Sequence, residues 1–384
     1  MSKTVVVIAP DSFKGSLSAV EVADAIATGI RRTGLPLVPV TVPMADGGEG
    51  TVEAVLSATG GRRRVVRAEG PLGDPVDAAY GILPDGRTAV IETAAASGLP
   101  LVPADRRNPL LASSYGTGQL IRDALDQGCR RLMIGVGGSA TNDGGMGMAQ
   151  ALGVRFLDEE GRELGRGGAE LERIAAIDCG GLDPRLAEAE IRVLCDVTNP
   201  LCGPEGASAV FGPQKGATPE MVERLDRGLA RYAERIAVFL GRRVADVPGA
   251  GAAGGLAAGL LAFGRAELVP GVRVIMELVG LEQKVRGAAL VITGEGRTDG
   301  QSARGKVPSG VGAVAAKCGV PAVCLSGGIG EGADLLYAHG ITAMFSIANR
   351  PLSLDEAMRD AARLLAEAAE NAVRLFWHGM RGSK

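Results

Sequence analysis

Residues 4–9, Thr-Val-Val-Val-Ile-Ala, form a β-branched apolar run, and the alternation that it opens constrains the fold more than any other feature of the chain. A polar loop, residues 10–17, comes next. Then Val20, Val22, Ala23, Ile26, Ala27 and Ile30 recur at near-helical spacing. Ser18 with Glu21 three residues on fits a capping box that starts a helix, and Gly34 and Pro36 stop it. Residues 37–42 read as a second strand, which Pro39 confines to a sheet edge because it cannot donate to the ladder. The loop 43–50 leads into a helix over 51–58. This β-α-β-α order is that of a parallel α/β sheet, since parallel strands need long crossovers.

The same order returns at the other end of the chain. Strands are predicted over 288–293, 322–326 and 342–347, with helices over 311–317, 333–338 and 354–376. The middle differs. From about Val65 come short segments divided by turn signals, and 76–83 with 88–93 reads as a hairpin. Helix 116–125, strand 132–136, helix 146–152, strand 191–195, helix 219–240 and a small-residue segment, 249–261, complete it. The reading is two α/β domains. One is a Rossmann/flavodoxin-like domain built from both chain ends, residues 1–75 and 286–384. The other is an inserted α/β domain, residues 76–285, with glycine-rich candidate hinges at 70–73 and 280–287.

Composition removes several function classes. The 41 Lys and Arg against 44 Asp and Glu leave a net charge of −3, which lacks the basic excess of a nucleic-acid binder. Two His exclude a His-rich zinc site and make a Ser-His-Asp triad a poor expectation. The six Cys contain no CxxC and read as buried, reduced thiols of a cytoplasmic protein. The apolar run 5–9 is too short for a signal peptide or membrane span. The expected partner is a small-molecule substrate, without nucleic acid or membrane, acting on a monomer or homodimer.

Chemistry is concentrated in one repeated device, an apolar strand leading into a loop rich in Gly, Asp, Ser or Lys. The loops are 10–16, 44–51, 135–145, 195–206 and 293–310. In open α/β sheets the ligand crevice lies beyond the carboxyl ends of the strands, so five such loops suggest one shared site for a nucleotide or polyanion. Residues 135–140 match G-x-G-x-x-[G/A], with Asp158 and Glu159 about 20 residues on, as in a dinucleotide fingerprint. Residues 141–145 delay the helix that should begin at once. A backbone N–H cradle for phosphate, capped by Thr141 or Asn142, is therefore favoured over a nicotinamide cofactor. Residues 300–306 match GxxxxGK, but Val307 replaces the hydroxyl residue of a P-loop; Lys306 remains a candidate phosphate-reaching cation and Pro308 suits a first helical turn. Lys14 lies between a strand and a helix N-terminus, where anions bind. Asp46, Glu49, Asp143, Asp196, Glu295 and Asp299 supply the carboxylates that phosphoryl transfer needs for Mg²⁺ and for the hydroxyl proton. Asp46 and Asp143 also suit plain turn or cap roles. A nicotinamide-dependent oxidoreductase of a small hydroxy acid stays open as the alternative.

The segments 10–19 (PDSFKGSLSA), 43–51 (PMADGGEGT), 137–153 (GGSATNDGGMGMAQALG), 196–207 (DVTNPLCGPEGA), 211–217 (FGPQKGA) and 294–306 (GEGRTDGQSARGK) resemble the bacterial type I glycerate kinase family, in order and across nearly the whole chain. The resemblance implies ATP-dependent, Mg²⁺-assisted phosphorylation of D-glycerate, often giving 2-phosphoglycerate, with two α/β domains around an active-site cleft. On that resemblance Asp196 is the acid near the glycerate hydroxyl, with Lys14 and Lys306 as the other catalytic candidates. Asp46, Glu295 and Asp299 are candidates for Mg²⁺. Asp11, Ser12, Gly137, Gly138, Ser139, Asn142, Asp143, Thr198, Asn199 and Arg297 are candidates for holding substrate or phosphate.

Overall fold

The computed structural model describes residues 4–382. Thirteen strands lie among them: β1 (Thr4–Ile8), β2 (Leu37–Thr41), β3 (Arg62–Glu69), β4 (Pro75–Ile82), β5 (Thr88–Glu92), β6 (Arg131–Gly135), β7 (Arg155–Leu157), β8 (Ala176–Asp178), β9 (Glu190–Leu194), β10 (Glu267–Val269), β11 (Leu290–Thr298), β12 (Ala322–Ile329) and β13 (Ala343–Ser346). The chain divides into two compact units. The first holds the described residues of Met1–Asp46, Glu53–Gly60 and Val272–Lys384; the second holds Gly47–Val52 and Gly61–Gly271.

The first unit is built on an all-parallel sheet in the order β13-β12-β11-β1-β2. Numbered along the chain within the unit, this is the flavodoxin-like order 2-1-3-4-5. Val6 and Ile8 of β1 pack with Val22, Ile26 and Ile30 of the helix Ala19–Arg32, and with Leu364, Leu365 and Val373 of the helix Ala361–Gly382. Each such side chain, fully buried, contributes about 1.5–3 kcal/mol. The two helices pack closely at Gly29, where a Cβ would strike the carbonyl of Ala366. The helix Ala19–Arg32 starts with the expected capping box, Ser18 with Glu21. β2 lies at the sheet edge, where Pro39 needs no ladder partner on its outer side.

Two elements depart from the sequence reading. β11 does not stop at Thr293. It runs through Gly294-Glu-Gly-Arg to Thr298, paired with β12 from Val291↔Ala322 to Thr298↔Ile329, so the first third of the expected loop is strand. A Cβ at Gly294 would strike the carbonyl of Leu325, so glycine here permits close strand packing rather than a turn. The predicted C-terminal helix is two, Leu354–Arg359 and Ala361–Gly382, separated at Asp360.

The second unit carries a mixed sheet in the order β10-β9-β6-β5-β4-β3. β5, β6, β9 and β10 are parallel, and β4 and β3 add an antiparallel extension. The Arg62-Arg63-Arg64 run lies on the edge strand β3, where charge discourages pairing with another chain. Arg64 pairs with Asp123, Nε to Oδ1 at 2.6 Å, and Tyr80 donates to the same carboxylate. The six cysteines are free, but only Cys129 and Cys324 are buried. The other four lie outside the strands, half-buried, which corrects the expectation that all would be core thiols. Among the described residues no helix is long and apolar enough to cross a membrane.

Candidate active-site clusters

In the first unit the chain leaves β1 toward β2 on one side, while β11, β12 and β13 add on the other. β1 and β11 therefore flank a topological switch point, the place where loops diverge and leave a crevice. The Asp11 amide donates to the Gly294 carbonyl at 2.8 Å, which holds the loop after β1 against β11. Met44 donates to the Pro10 carbonyl at 2.9 Å, which brings the segment carrying Asp46 to the same end.

Three carboxyls meet there. Burial, with the neighbouring Asp46 and Glu295 charges, raises the Asp11 carboxyl to about 7, against an opposing hydrogen bond from the Ser12 amide. Burial likewise pushes Glu295 above its ordinary range, and Asp299 adds to this, while Lys306 opposes it. Thr298 Oγ1 lies 3.2 Å from Glu295 Oε1 and 2.7 Å from Ser326 Oγ. Asp299 is partly committed, since Oδ1 accepts from the Gln301 amide at 2.9 Å and Oδ2 lies 3.3 Å from Arg297 Nε. Arg297 and Lys14 are exposed. Lys306 stands at the N-cap of the helix Val307–Lys317, with Pro308 in the first turn as expected.

Crowded carboxylates whose charge is opposed by one lysine fit a divalent cation. Among the described residues no three His, Cys, Asp or Glu side chains are spaced to hold a metal ion alone.

In the second unit the loop after β6 is shaped by close backbone contacts. A Cβ on Gly135 would strike the Gly47 carbonyl, and one on Gly137 would strike the Gly48 Cα. Gly138 has φ +71°, a left-handed conformation that glycine adopts without strain. Gly144 donates to the Gly254 carbonyl at 3.0 Å, and a Cβ on Gly254 would strike the Thr141 carbonyl. The small residues of 249–261 thus let a second backbone lie on this loop.

Asp143 is fully buried and accepts from the Ser114 amide and hydroxyl, both at 2.8 Å, and from the amides of Gly145 and Gly147. It braces the start of the helix Met146–Ala151. The capping role expected of Thr141 or Asn142 therefore falls to Asp143, because only its carboxylate reaches those amides. Asn142 is buried and donates to Ser208 Oγ at 2.9 Å.

Asp196 comes just after β9, is exposed, and its Oδ1 accepts from the Gly271 amide at 2.9 Å. Thr198 is exposed beside it, and Asn199 ties its loop by donating to the Glu205 carbonyl at 2.8 Å. β9 and β6 are neighbours, so Asp196 and the Gly137–Ser139 segment leave the same end of adjacent parallel strands.

One prominent residue escaped the sequence reading of the site. Lys215, 2% exposed, donates to Ser139 Oγ at 2.9 Å and to the Thr141 carbonyl at 2.7 Å. Its signal was present in the segment FGPQKGA, where a lone lysine stands between Gly-Pro and Gly, but nothing in the spacing ties it to Ser139.

The sequence profile described as the glycerate kinase family matches residues 6–377. This chain belongs to the glycerate kinase family. It is 51% identical to the Escherichia coli K12 protein named glycerate 2-kinase over 378 residues, 98% of this chain and 99% of that one. It is also 51% identical to the glycerate kinase of Halalkalibacterium halodurans over 374 residues, 97% of this chain and 98% of that one. The crystal structure described as "putative glycerate kinase 2" from Salmonella typhimurium LT2 superposes with a TM-score of 0.89 at 50% identity, covering 99% of this chain and 100% of that one. Membership of a kinase family sets aside the oxidoreductase alternative. The match at 135–140 has a physical explanation of its own, since its glycines serve contacts with Gly47 and Gly48 and no helix begins before Met146.

Proposed function

We propose that this protein transfers the terminal phosphoryl group of ATP to D-glycerate, giving 2-phosphoglycerate and ADP, with Mg²⁺. One observation carries the reading. In a chain of the glycerate kinase family, the motif-bearing loops of each unit gather at the carboxyl ends of parallel strands.

In the first unit Asp46 and Glu295, with Asp11 and Asp299 beside them, are the residues to hold Mg²⁺. The ion would neutralise charge on the transferring phosphates. Lys14, Lys306 and Arg297 serve as cations for the phosphates, and Ser12 keeps Asp11 oriented. In the second unit Asp196 accepts the proton of the glycerate hydroxyl, beside Thr198 and Asn199. The amides of Gly137, Gly138 and Ser139 take the glycerate carboxylate, and Asn142 and Asp143 hold their loop in shape. This assignment has a geometric basis. Neighbouring strands lie about 4.8 Å apart, a span that a three-carbon hydroxy acid bridges from carboxylate to hydroxyl. Free thiols support a cytoplasmic setting.

The test is a coupled ADP-release assay with D-glycerate, ATP and Mg²⁺, with L-glycerate, hydroxypyruvate and no-substrate controls, and then phosphorus NMR of the product. D-glycerate-dependent ADP and a 2-phosphate resonance are expected. A folded sample that binds ATP but does not turn over D-glycerate would displace the acceptor. One that binds no nucleotide would displace the kinase reading.

A further inference from the structure

Lys215 lies at the end of a short turn, Pro213–Lys215, and Gly216 comes next with φ +89°. A Cβ on Gly216 would strike the Arg107 carbonyl, so the turn is seated firmly. The Lys215 ammonium group lies inside the second unit, and its two acceptors, Ser139 Oγ and the Thr141 carbonyl, are neutral. The nearby Asp143 spends its oxygens on Ser114, Gly145 and Gly147. A buried cation held by neutral oxygens is unusual, since burial without a counter-charge is costly. On the same loop the buried Thr141 Oγ1 and Asn142 Oδ1 lack hydrogen-bond partners.

Because Lys215 donates to Ser139 Oγ, the serine hydroxyl hydrogen must point elsewhere. Among the described residues it has no other acceptor, and the amides of Gly137, Gly138 and Ser139 donate to no protein group. These donors are consecutive along the chain, and Ser139 is hydrogen-bonded to the buried ammonium, an arrangement that suits a carboxylate.

We propose that Lys215 is a positioning residue for the glycerate carboxylate, acting through Ser139 to turn the serine hydroxyl and the Gly137–Ser139 amides toward the anion. The inference rests on the assignment of this loop to glycerate made above. Burial lowers the Lys215 amine to about 7, with Asp143 opposing that shift. The amine is therefore charged below about pH 7 and increasingly neutral above it. The other groups to consider are Tyr232, whose phenol burial keeps protonated, and the guanidinium of Arg107, whose carbonyl abuts Gly216. Glycerate is ionised across the whole range.

The experiment measures kcat and KM for D-glycerate and for ATP from pH 6 to 9 in the wild type, Lys215→Met, Lys215→Arg, Ser139→Ala and the Lys215→Met/Ser139→Ala double variant. Circular dichroism and Tm confirm folding. Lys215→Met is expected to raise the D-glycerate KM about tenfold or more at pH 6.5 and to leave the ATP KM within about threefold. The double variant should add little to Lys215→Met, because the lysine acts through the serine. The wild-type D-glycerate KM should rise above about pH 7, and Lys215→Met should flatten that rise. A folded Lys215→Met with unchanged D-glycerate KM overturns the proposal, as do fully additive effects of the two substitutions. If Lys215→Met does not fold, a pH-independent wild-type KM overturns it without any variant. A wild type that does not turn over D-glycerate fails the functional reading itself, a result distinct from these.

Discussion

Asp11, Asp46 and Glu295 crowd the switch point of the first unit, whereas a lone ammonium backs the loop after β6 in the second. Both clusters sit at the carboxyl ends of parallel strands, yet their electrostatics are opposite. At the first, burial, with the neighbouring Asp46 and Glu295 charges added at Asp11, makes the Asp11 and Glu295 carboxyls hold their protons to unusually high pH. At the second, burial of a cation bonded to neutral oxygens makes its amine release its proton early, because burial disfavours the charged form. Each is incomplete in the sense that a ligand of opposite charge would relieve it. The proposed function uses this difference: it assigns a cation shared with phosphates to the first and an organic anion to the second.

The largest expected effect separates chemistry from nucleotide binding. Asp196→Asn should lower turnover by about 10²–10⁴-fold, the range for losing a positioned proton acceptor, while ATP affinity by calorimetry shifts by less than about threefold. Near-normal turnover would remove Asp196 from the reaction and leave the second cluster as a binding site only.

Asp143 tests whether the second cluster is scaffolded as described. Asp143→Ala leaves the Ser114, Gly145 and Gly147 amides unsatisfied in the interior. A loss of about 3 kcal/mol in urea unfolding is expected. A loss under about 1 kcal/mol would mean that the loop keeps its shape by glycine packing alone.

Asp11 probes the first cluster through pH. The folded carboxyl sits at about 7 and the ordinary value is 3.8, so between these values the folded state holds a proton that the unfolded state has lost. Wild-type stability in metal-free buffer should therefore fall across that window as pH rises. Asp11→Asn should be more stable by about 2 kcal/mol at pH 8, and the gain should fade toward pH 4. Parallel stability curves for the two proteins would show that neither burial nor the neighbouring carboxylates perturb Asp11. The smallest effect is steric. Gly135→Ala should cost about 1–2 kcal/mol, because its Cβ meets the Gly47 carbonyl. An unchanged Tm would show that the 47–50 segment yields readily.

Much of this was legible in the chain itself. The capping box at Ser18 and Glu21, the edge strand marked by Pro39 and the helix over residues 219–240 all rest on local chemistry, and local chemistry is written in sequence. The extent of β11 was not, because Gly294 and Gly296 look like turn residues until a neighbouring backbone is seen to need the room. The break at Asp360 and the half-buried cysteines escaped notice for a related reason, since apolar periodicity does not report which neighbours cover a segment.

The candidate site divides the same way. Asp11, Asp46, Glu295, Lys306, the Gly137 loop and Asp196 were visible as polar residues after apolar strands, and the sequence alone determined that acids, lysines and glycines would stand at strand ends. What only the tertiary structure decided is the state of each charge. Asp143 became an internal brace, Asp299 was tied to Arg297, and Lys215 emerged as the cation behind Ser139. The reason is that a side chain's type is local, whereas its desolvation and its partners come from segments far along the chain: Lys215 meets a serine 76 residues away.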